Sequence, residues 1–566
     1  MTPTKPSPGS SFDVQQLENR QLLAVSYDAA GYTVITPSAD SRIIYVSSSQ
    51  GNDANDGLSP SSPVKTVQKA GSLIRNRMPD QILLKRGDVF DGGIRNWRAS
   101  GRGPQEPIVL GAYGTGARPL VQSGTTDGFA IIGGSVSSVR HVVVQGIEFW
   151  ANGYNGRNGT PYGIRIQMLG SNFLVEDCLV RGYKDNIVLG APDAPVNNVK
   201  LRRNVVVDAY SVNVGHSQGL YASGTVSGIY MEGNVFDRNG WNPAVSGAVP
   251  TVFNHNVYIQ TDASTVTLVD NIFARGSLHG AMVRCGGIVK NNLFVENAVG
   301  LGIFGREQTI TTGNVILNGV DLPTLPSGVG INSEGFGGSL FFDNIIANDY
   351  SSNPANASGI ALNWQSSSVK VESNIIYNWR RAVRNGSAGP TLIQNNHFQT
   401  TRSDRVLVDH RVTPDGVKYD YNANVYSSPR ANWHMIKGTE VTFPSWRQRL
   451  DEKTAVVQTM AYPEPTRGVH TYNASIGGPT STSAFLNEAR KMSRFNYQKK
   501  YTALPVIQHV RQGFGLPADP STNIPSVPGP GTPPSGSSGG GTTGGGTTGG
   551  GTTGGGTTGG GTTGGG

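Results

Sequence analysis

The 566-residue chain is 36% hydrophobic and 15% charged, and 21 of its 77 glycines lie from Gly529 onward, which predicts that the folded part ends well before the C-terminus. Its net charge of +8 is not gathered into a basic block, which argues against nucleic-acid binding and suits a polyanionic partner such as an acidic polysaccharide. No stretch approaches about 18 consecutive apolar residues, so no membrane-spanning helix is expected, and Cys178 and Cys285 cannot make a disulfide framework or a four-thiolate metal site.

Residues 1–41 form a separate segment. Met1 to Asp13 is Pro/Ser-rich and lacks the charged-then-apolar profile of an ordinary signal peptide. Leu17-Glu18-Asn19-Arg20-Gln21-Leu22-Leu23 resembles the Leu-Glu-Pro-Arg-X-Leu-Leu motif near the start of large exported bacterial proteins, departing at Asn19. That resemblance implies an extracellular or envelope-associated protein. A strand, Ile43-Ile44-Tyr45-Val46, follows, then the loop Gly51 to Gly57 and a short helix with Ser62 as N-cap, Pro63 as first residue and Val64, Val67 and Ile74 as its apolar stripe. Asp53 and Asp56 in that loop read as a turn rather than a calcium site, because their spacing is not that of an EF-hand.

From 140 to 400 an apolar-x-x-Asn-apolar unit recurs. Its marker falls at Gly146, Cys178, Asn204, Asn234, Asn271, Asn292, Asn314, Asn344, Asn374 and Asn396, at spacings of 21 to 37 residues. Short strands with one polar corner at this period predict a parallel β-solenoid whose turns stack at roughly 4.8 Å, with asparagine accepting the left-handed turn and bonding to its neighbour one rung away. On these residues the chain resembles the right-handed parallel β-helix, pectate-lyase-like superfamily, over about residues 42–425. The resemblance implies an all-β solenoid with an N-terminal capping helix and a carbohydrate-directed activity. After Val425 the period stops. Helical pieces near Ser445 to Leu450, Ala484 to Met492 and Pro505 to Gln512 make 426–515 a C-terminal cap or lid, and 516–566 reads as a disordered Pro/Gly/Thr tail, removable without loss of stability.

A second set of strands precedes the Asn strands, and alternation sends Tyr221, Tyr258, Met282, Gly302 and Asn332 to the solvent face, followed two residues on by Ser223, Gln260, Arg284, Phe304 and Glu334. The position before each strand reads Tyr162, Asp185, Gln218, His255, His279 and Val299, with His216 two residues upstream of Gln218. Imidazoles, phenols and a guanidinium therefore converge on three consecutive rungs, which predicts a ligand site there. Asp237 and Trp241, beside the insertion that causes the 37-residue spacing, are expected at the groove wall, Trp241 either stacking on a sugar or packing on the next coil.

Gly215-His216-Ser217-Gln218-Gly219 matches the Gly-x-Ser-x-Gly elbow by letter, but a strand follows where that elbow needs a helix. The strip lacks the stacked acidic trio that a calcium-dependent lyase needs, and a His216/His255/His279 metal site is only conceivable, so no cofactor is assigned. The leading expectation is a monomeric, exported polysaccharide lyase. Arg284 would neutralise a uronate carboxylate, His255 would take the adjacent proton and Tyr258 would protonate the leaving oxygen, with His279 or Tyr221 able to exchange roles. His216, Tyr221, Asp237, Trp241, Gln260 and Glu334 would bind substrate. A glycoside hydrolase and a non-catalytic glycan-binding surface protein stand as alternatives.

Overall fold

A computed structural model describes residues 26–526, apart from 213–214, 323–326, 349–356 and 417. The Leu17 to Leu23 motif and the tail beyond 526 lie outside the described residues. Each coil contributes three strands, all paired in parallel with the same strands of the coils before and after. The first sheet carries strands such as Gln218–Ala222, His255–Ile259 and His279–Val283. A second sheet leads into the marker corner, and a third, of 14 strands, leaves it. Two long strands, Phe129–Gln145 and Tyr162–Glu176, run through both the first and the second sheet. The inward residues form one continuous apolar column, in which Phe236, Phe273 and Phe294 stack at 5.6 and 5.1 Å between centroids. The fold is the parallel β-helix that the repeat predicts.

The marker asparagines stand in one unbroken ladder. The side-chain carbonyl of Asn271 accepts from the backbone N–H and side-chain amide of Asn234, at 3.0 and 2.8 Å. The Asn271 amide in turn donates to Met231 O at 2.9 Å and to Asn292 Oδ1 at 3.0 Å. The same pattern continues through Asn292, Asn314, Asn344, Asn374 and Asn396 to Asn424, which ends it on Glu452. At the other end the Cys178 N–H donates to Asn204. One expectation is corrected: the left-handed residue is the one before each marker (Asp177, Arg203, Asp270, Asn291, Asp343, Ser373, Asn395, and Gly at 233 and 313), and Gly146, read as a marker, itself stands in that left-handed position, in register with Asp177. The marker turns inward instead, because its amide is needed to satisfy buried backbone groups of two neighbouring coils.

The third sheet is apolar on both faces. Its outward residues, Val205, Val235, Ile272, Leu293, Val315 and Ile345 among them, form a second core with three helices of the C-terminal segment, α3 (Val469–Ser475), α4 (Thr482–Ala489) and α5 (Ala503–Gly513). Ion pairs pin this layer: Arg490 to Asp208 and Asp237, and Arg511 to Asp343. The open end of the column is closed by α2 (Phe443–Leu450), whose buried Trp446 meets His410, Tyr421 and His434. The C-terminal segment is thus a side layer as well as a cap.

Two local expectations give way to stronger contacts. The first helix, α1, is Val67–Leu73 with Thr66 as N-cap, because Asp53 accepts from the Lys65 and Thr66 N–H groups and the Thr66 hydroxyl and holds that approach extended. Val64 bridges to Val46 instead of joining the helix. Nor does the removable tail begin at 516: the Ser521 N–H donates to Asp343 at 2.8 Å, Pro517 O accepts from Arg511, and Ile524 packs on Ile310, Leu340 and Phe342.

Replacing Asn314 by Ala orphans buried backbone and amide groups on both sides and is expected to cost about 3 kcal/mol in denaturant titration. A loss below about 0.5 kcal/mol would contradict a structural role for the ladder. Truncation after Gly515 is expected to lower the melting temperature by several degrees and truncation after Ser526 to leave it unchanged; equal melting would contradict the docking of 516–526.

Candidate functional site

Strand register fixes the order of polar side chains on the outer face of the first sheet. Tyr162, Asp185, Gln218, His255, His279 and Val299 are successive partners across rungs. So are Arg165, Val188, Tyr221, Tyr258, Met282, Gly302 and Asn332. The strip read from the sequence exists as a geometric unit.

Within it the two histidines behave differently from expectation. His255 and His279 are each only 4% exposed. Their Nδ1 atoms face each other at 3.1 Å, and the His255 N–H donates to Gln218 Oε1 at 2.7 Å. Burial, with His279 and His216 nearby, holds the His255 imidazole well below its ordinary pKa, and burial alone pushes His279 down to about 3. Both rings are enclosed and, unlike the similarly buried Asp185, neither lines the adjacent cleft, so His255 is not placed to take a proton from a polymer. It packs edge-on to Tyr258 at 4.9 Å between centroids.

The open part of the strip lies one to two rungs earlier. A cleft of about 400 Å³ is lined by Tyr162, Gln167, Lys184, Asp185, Gln218 and Tyr221, together with Val188, His216, Tyr258 and Gln260. Asp185 is the single carboxylate of this lining. Burial pushes it up to about 6, against the opposing pull of the Lys184 ammonium 3.6 Å away and the Gln218 N–H at 2.7 Å. Tyr221 and Tyr258 stand 5.7 Å apart between centroids. Arg284 Nη1 donates to both Tyr258 Oη and Gln260 Oε1 at 3.0 Å. With a lone pair of Tyr258 taken by a guanidinium, its own O–H is left to act as a donor. His216, at the exposed lip, is held by Phe253 O at 3.2 Å.

Three expected substrate contacts lie elsewhere. Asp237 is fully buried in the third sheet between Arg275 and Arg490, where it anchors the helical layer. Trp241 donates to Arg275 O at 2.6 Å, so it packs on the next coil. Glu334 shares the outer row with Arg284 but sits two rungs beyond it, joined to Asn332 at 3.3 Å. Ser217 is buried and donates to Lys184 O at 2.7 Å, which leaves no exposed nucleophile in the Gly-x-Ser-x-Gly match. Asp185 and Lys184, by contrast, are cleft residues that the sequence reading did not assign to the site. The signal was present: Asp185 shares the register position of His255. Asp127, which accepts from the Tyr162 N–H at 3.0 Å and pairs with Arg165 at 3.4 Å, extends the same row by one rung.

No protein-family model matches the chain. A stretch of 101 residues is 29% identical to part of a lacto-N-biosidase of Bifidobacterium longum, spanning 17% of this chain and 6% of that protein. Among solved structures the chain is similar to a GH136 lacto-N-biosidase from Eubacterium ramulus, at 14% identity over 70% of this chain and 68% of that one, with a TM-score of 0.44. It is also similar to a rhamnogalacturonan lyase at 12% identity, covering 68% and 87% of the two chains, TM-score 0.33. A pectate lyase follows at 13% identity, 78% and 87% coverage and TM-score 0.32. The parallel β-helix itself rests on the strand pairing of this chain.

Because His255 and His279 have folded pKa values below the ordinary 6.5, the unfolded chain takes up protons first as pH falls. The stability they contribute is whole above about pH 6.5 and is lost below it. A His255→Gln/His279→Gln variant is expected to show a shallower fall in stability than the wild type between about pH 6.5 and 5. Parallel pH slopes would contradict the neutral, enclosed pair.

Proposed function

We propose that the chain cleaves an acidic polysaccharide by β-elimination at the Asp185/Tyr258 cleft, outside the cell that makes it. The observation carrying this reading is a lone carboxyl raised by burial to about 6 that shares one cleft with a phenol held by a guanidinium. Elimination needs three things: a cation for the substrate carboxylate, a base for the adjacent C–H, and an acid for the leaving oxygen. Lys184 supplies positive charge in the cleft lining, and Arg284 stands behind Tyr258 and Gln260, to which it is hydrogen-bonded. Asp185, ionised above about pH 6, is a stronger base than an ordinary aspartate. It takes the proton, the electron pair of that C–H bond becomes the new C=C bond, the glycosidic C–O bond breaks, and Tyr258 O–H protonates the departing oxygen. Tyr221, Gln167, Gln218 and Gln260 are left to hold sugar hydroxyls. His255, first read as the base, becomes a positioning residue behind Tyr258.

The stretch shared with a lacto-N-biosidase favours a second reading, glycoside hydrolysis. Hydrolysis wants two carboxyl groups, and Asp127 lies two rungs from Asp185, about 9.5 Å of strand spacing, at the upper edge of the separation used by inverting enzymes. Its ion pair with Arg165 and its place outside the cleft lining rank this reading second.

A panel of acidic and neutral polysaccharides, with and without chelator, tests both. Release of an ultraviolet-absorbing unsaturated end is expected; new reducing ends without that absorbance mean hydrolysis, and retention without cleavage means a glycan-binding surface protein. Asp185→Asn and Tyr258→Phe are each expected to lower turnover about a hundredfold or more with folding unchanged. The acidic limb of the wild-type pH profile, near 6, should be missing from the residual activity of Asp185→Asn. Full activity in both variants would move the chemistry elsewhere.

A further inference from the structure

Along the first sheet beyond the cleft, the outer row passes through Met282, Gly302, Asn332, Ala361 and Arg384. The row is not an open trough at Gly302, where the His279 and Phe304 rings fill the space a side chain would take, and Ala361 adds only a methyl group. At its far end Trp364 is 81% exposed, the most exposed large apolar side chain among the described residues, and Phe336, from the preceding coil, is 70% exposed. Trp364 directly follows Asn363, which pairs with Gly386 and comes one residue after Leu362, the partner of Ser333, so it stands at the sheet edge that also carries Glu334 and, on earlier rungs, Gln260 and Arg284.

Trp364 also has a φ of +53°, a left-handed conformation that a bulky side chain adopts only against steric cost. The turn around it is nevertheless tightly registered, with the Ser366 N–H on Gly335 O at 3.1 Å and the Ala388 N–H on Gln365 O at 2.7 Å. A residue that bears backbone strain and leaves its indole in water gains nothing from the core for either. Beside it lies a hydrogen-bonding chain: Asn363 Nδ2 donates to Asn332 Oδ1 at 2.8 Å, and Asn332 Nδ2 to Glu334 at 3.3 Å. Arg384 Nε is buried without a hydrogen-bond partner among the described residues. An apolar ring face beside convergent amide, carboxyl and guanidinium groups matches a pyranose, which offers a C–H face and equatorial hydroxyls.

We propose that Trp364 and Phe336, with Asn332, Asn363, Glu334 and Arg384, form a second glycan subsite that grips the same polymer strand as the cleft. The proposal rests on the reading of the cleft as a glycan site. Four rungs separate Tyr258 from the Trp364 coil, about 19 Å at the strand spacing, so the ligand bridging both is a polysaccharide or long oligosaccharide rather than a disaccharide.

The test compares wild type, Trp364→Ala, Trp364→Tyr and Tyr258→Phe on the polymer found in the panel and on short oligomers made from it, by steady-state kinetics and by affinity electrophoresis. Trp364→Ala is expected to weaken polymer binding and raise KM for polymer about tenfold, with kcat and the turnover of short oligomers unchanged, and Trp364→Tyr to recover most of the loss. Tyr258→Phe should lose turnover but keep polymer retention. Unchanged polymer retention in Trp364→Ala overturns the subsite while leaving the cleft reading intact. Retention lost in Trp364→Ala, from a wild type that binds but cleaves nothing, upholds the subsite and rejects elimination. A dimer that becomes monomeric on Trp364→Ala in size-exclusion chromatography overturns the proposal in favour of self-association. Binding of no polymer by any of the four proteins rejects both readings.

Discussion

One side chain per coil holds this molecule in register. A parallel solenoid must bury the backbone of its turns, and a buried N–H or C=O without a partner costs more than most single contacts return. The marker asparagine solves this at one corner, because its amide offers two donors and an acceptor that reach the coils before and after it. A slip of one residue would break the ladder and turn every inward side chain outward. The order of groups on the first sheet is therefore set at a corner that does not touch the cleft.

The faces of the three sheets are then put to different uses. The third sheet is apolar on both sides and takes α3 to α5 as a second layer, fixed by Arg490 and Arg511. The second sheet carries the two ends of the described chain: Thr33 and Ile35 meet Glu176 and Leu174, and Ile524 meets Leu340. The first sheet keeps an outer row rich in phenol, amide and guanidinium groups, and both the cleft and the Trp364 turn lie on it. Local strain and perturbed protonation gather there too, in the raised carboxyl of Asp185 and the left-handed Trp364.

Much of this was legible from one sequence. The Asn period gave the solenoid, and period-two alternation gave the rungs, so that His255 opposite His279 and Tyr221 opposite Tyr258 follow without coordinates. What alternation cannot supply is depth. The position before each strand lies at the sheet margin, where a side chain turns into the wall or into the cleft according to its neighbours, and His255 and His279 turn into the wall against each other. Asp237 was misread because an acid beside an insertion looks like a groove residue, whereas its partner Arg490 comes from 253 positions away. The triplets Val205-Val206-Val207 and Val315-Ile316-Leu317 carry a signal of a two-sided third sheet that the repeat alone does not use, since a strand with one wet face alternates. The elbow match failed for the opposite reason: its letters agree while the element after it is a strand.

The central claim is that the fixed register of the first sheet presents one continuous glycan path running from the Asp185/Tyr258 cleft towards the Trp364 turn. The most direct measurement is a crystal structure of the inactive Tyr258→Phe protein with an oligosaccharide long enough to cover four rungs. The account predicts sugar rings lying across the first sheet, a carboxylate facing Lys184 in the cleft, and a ring face on Trp364. Sugar bound against the helical layer or the second sheet, with the first sheet bare, would contradict it.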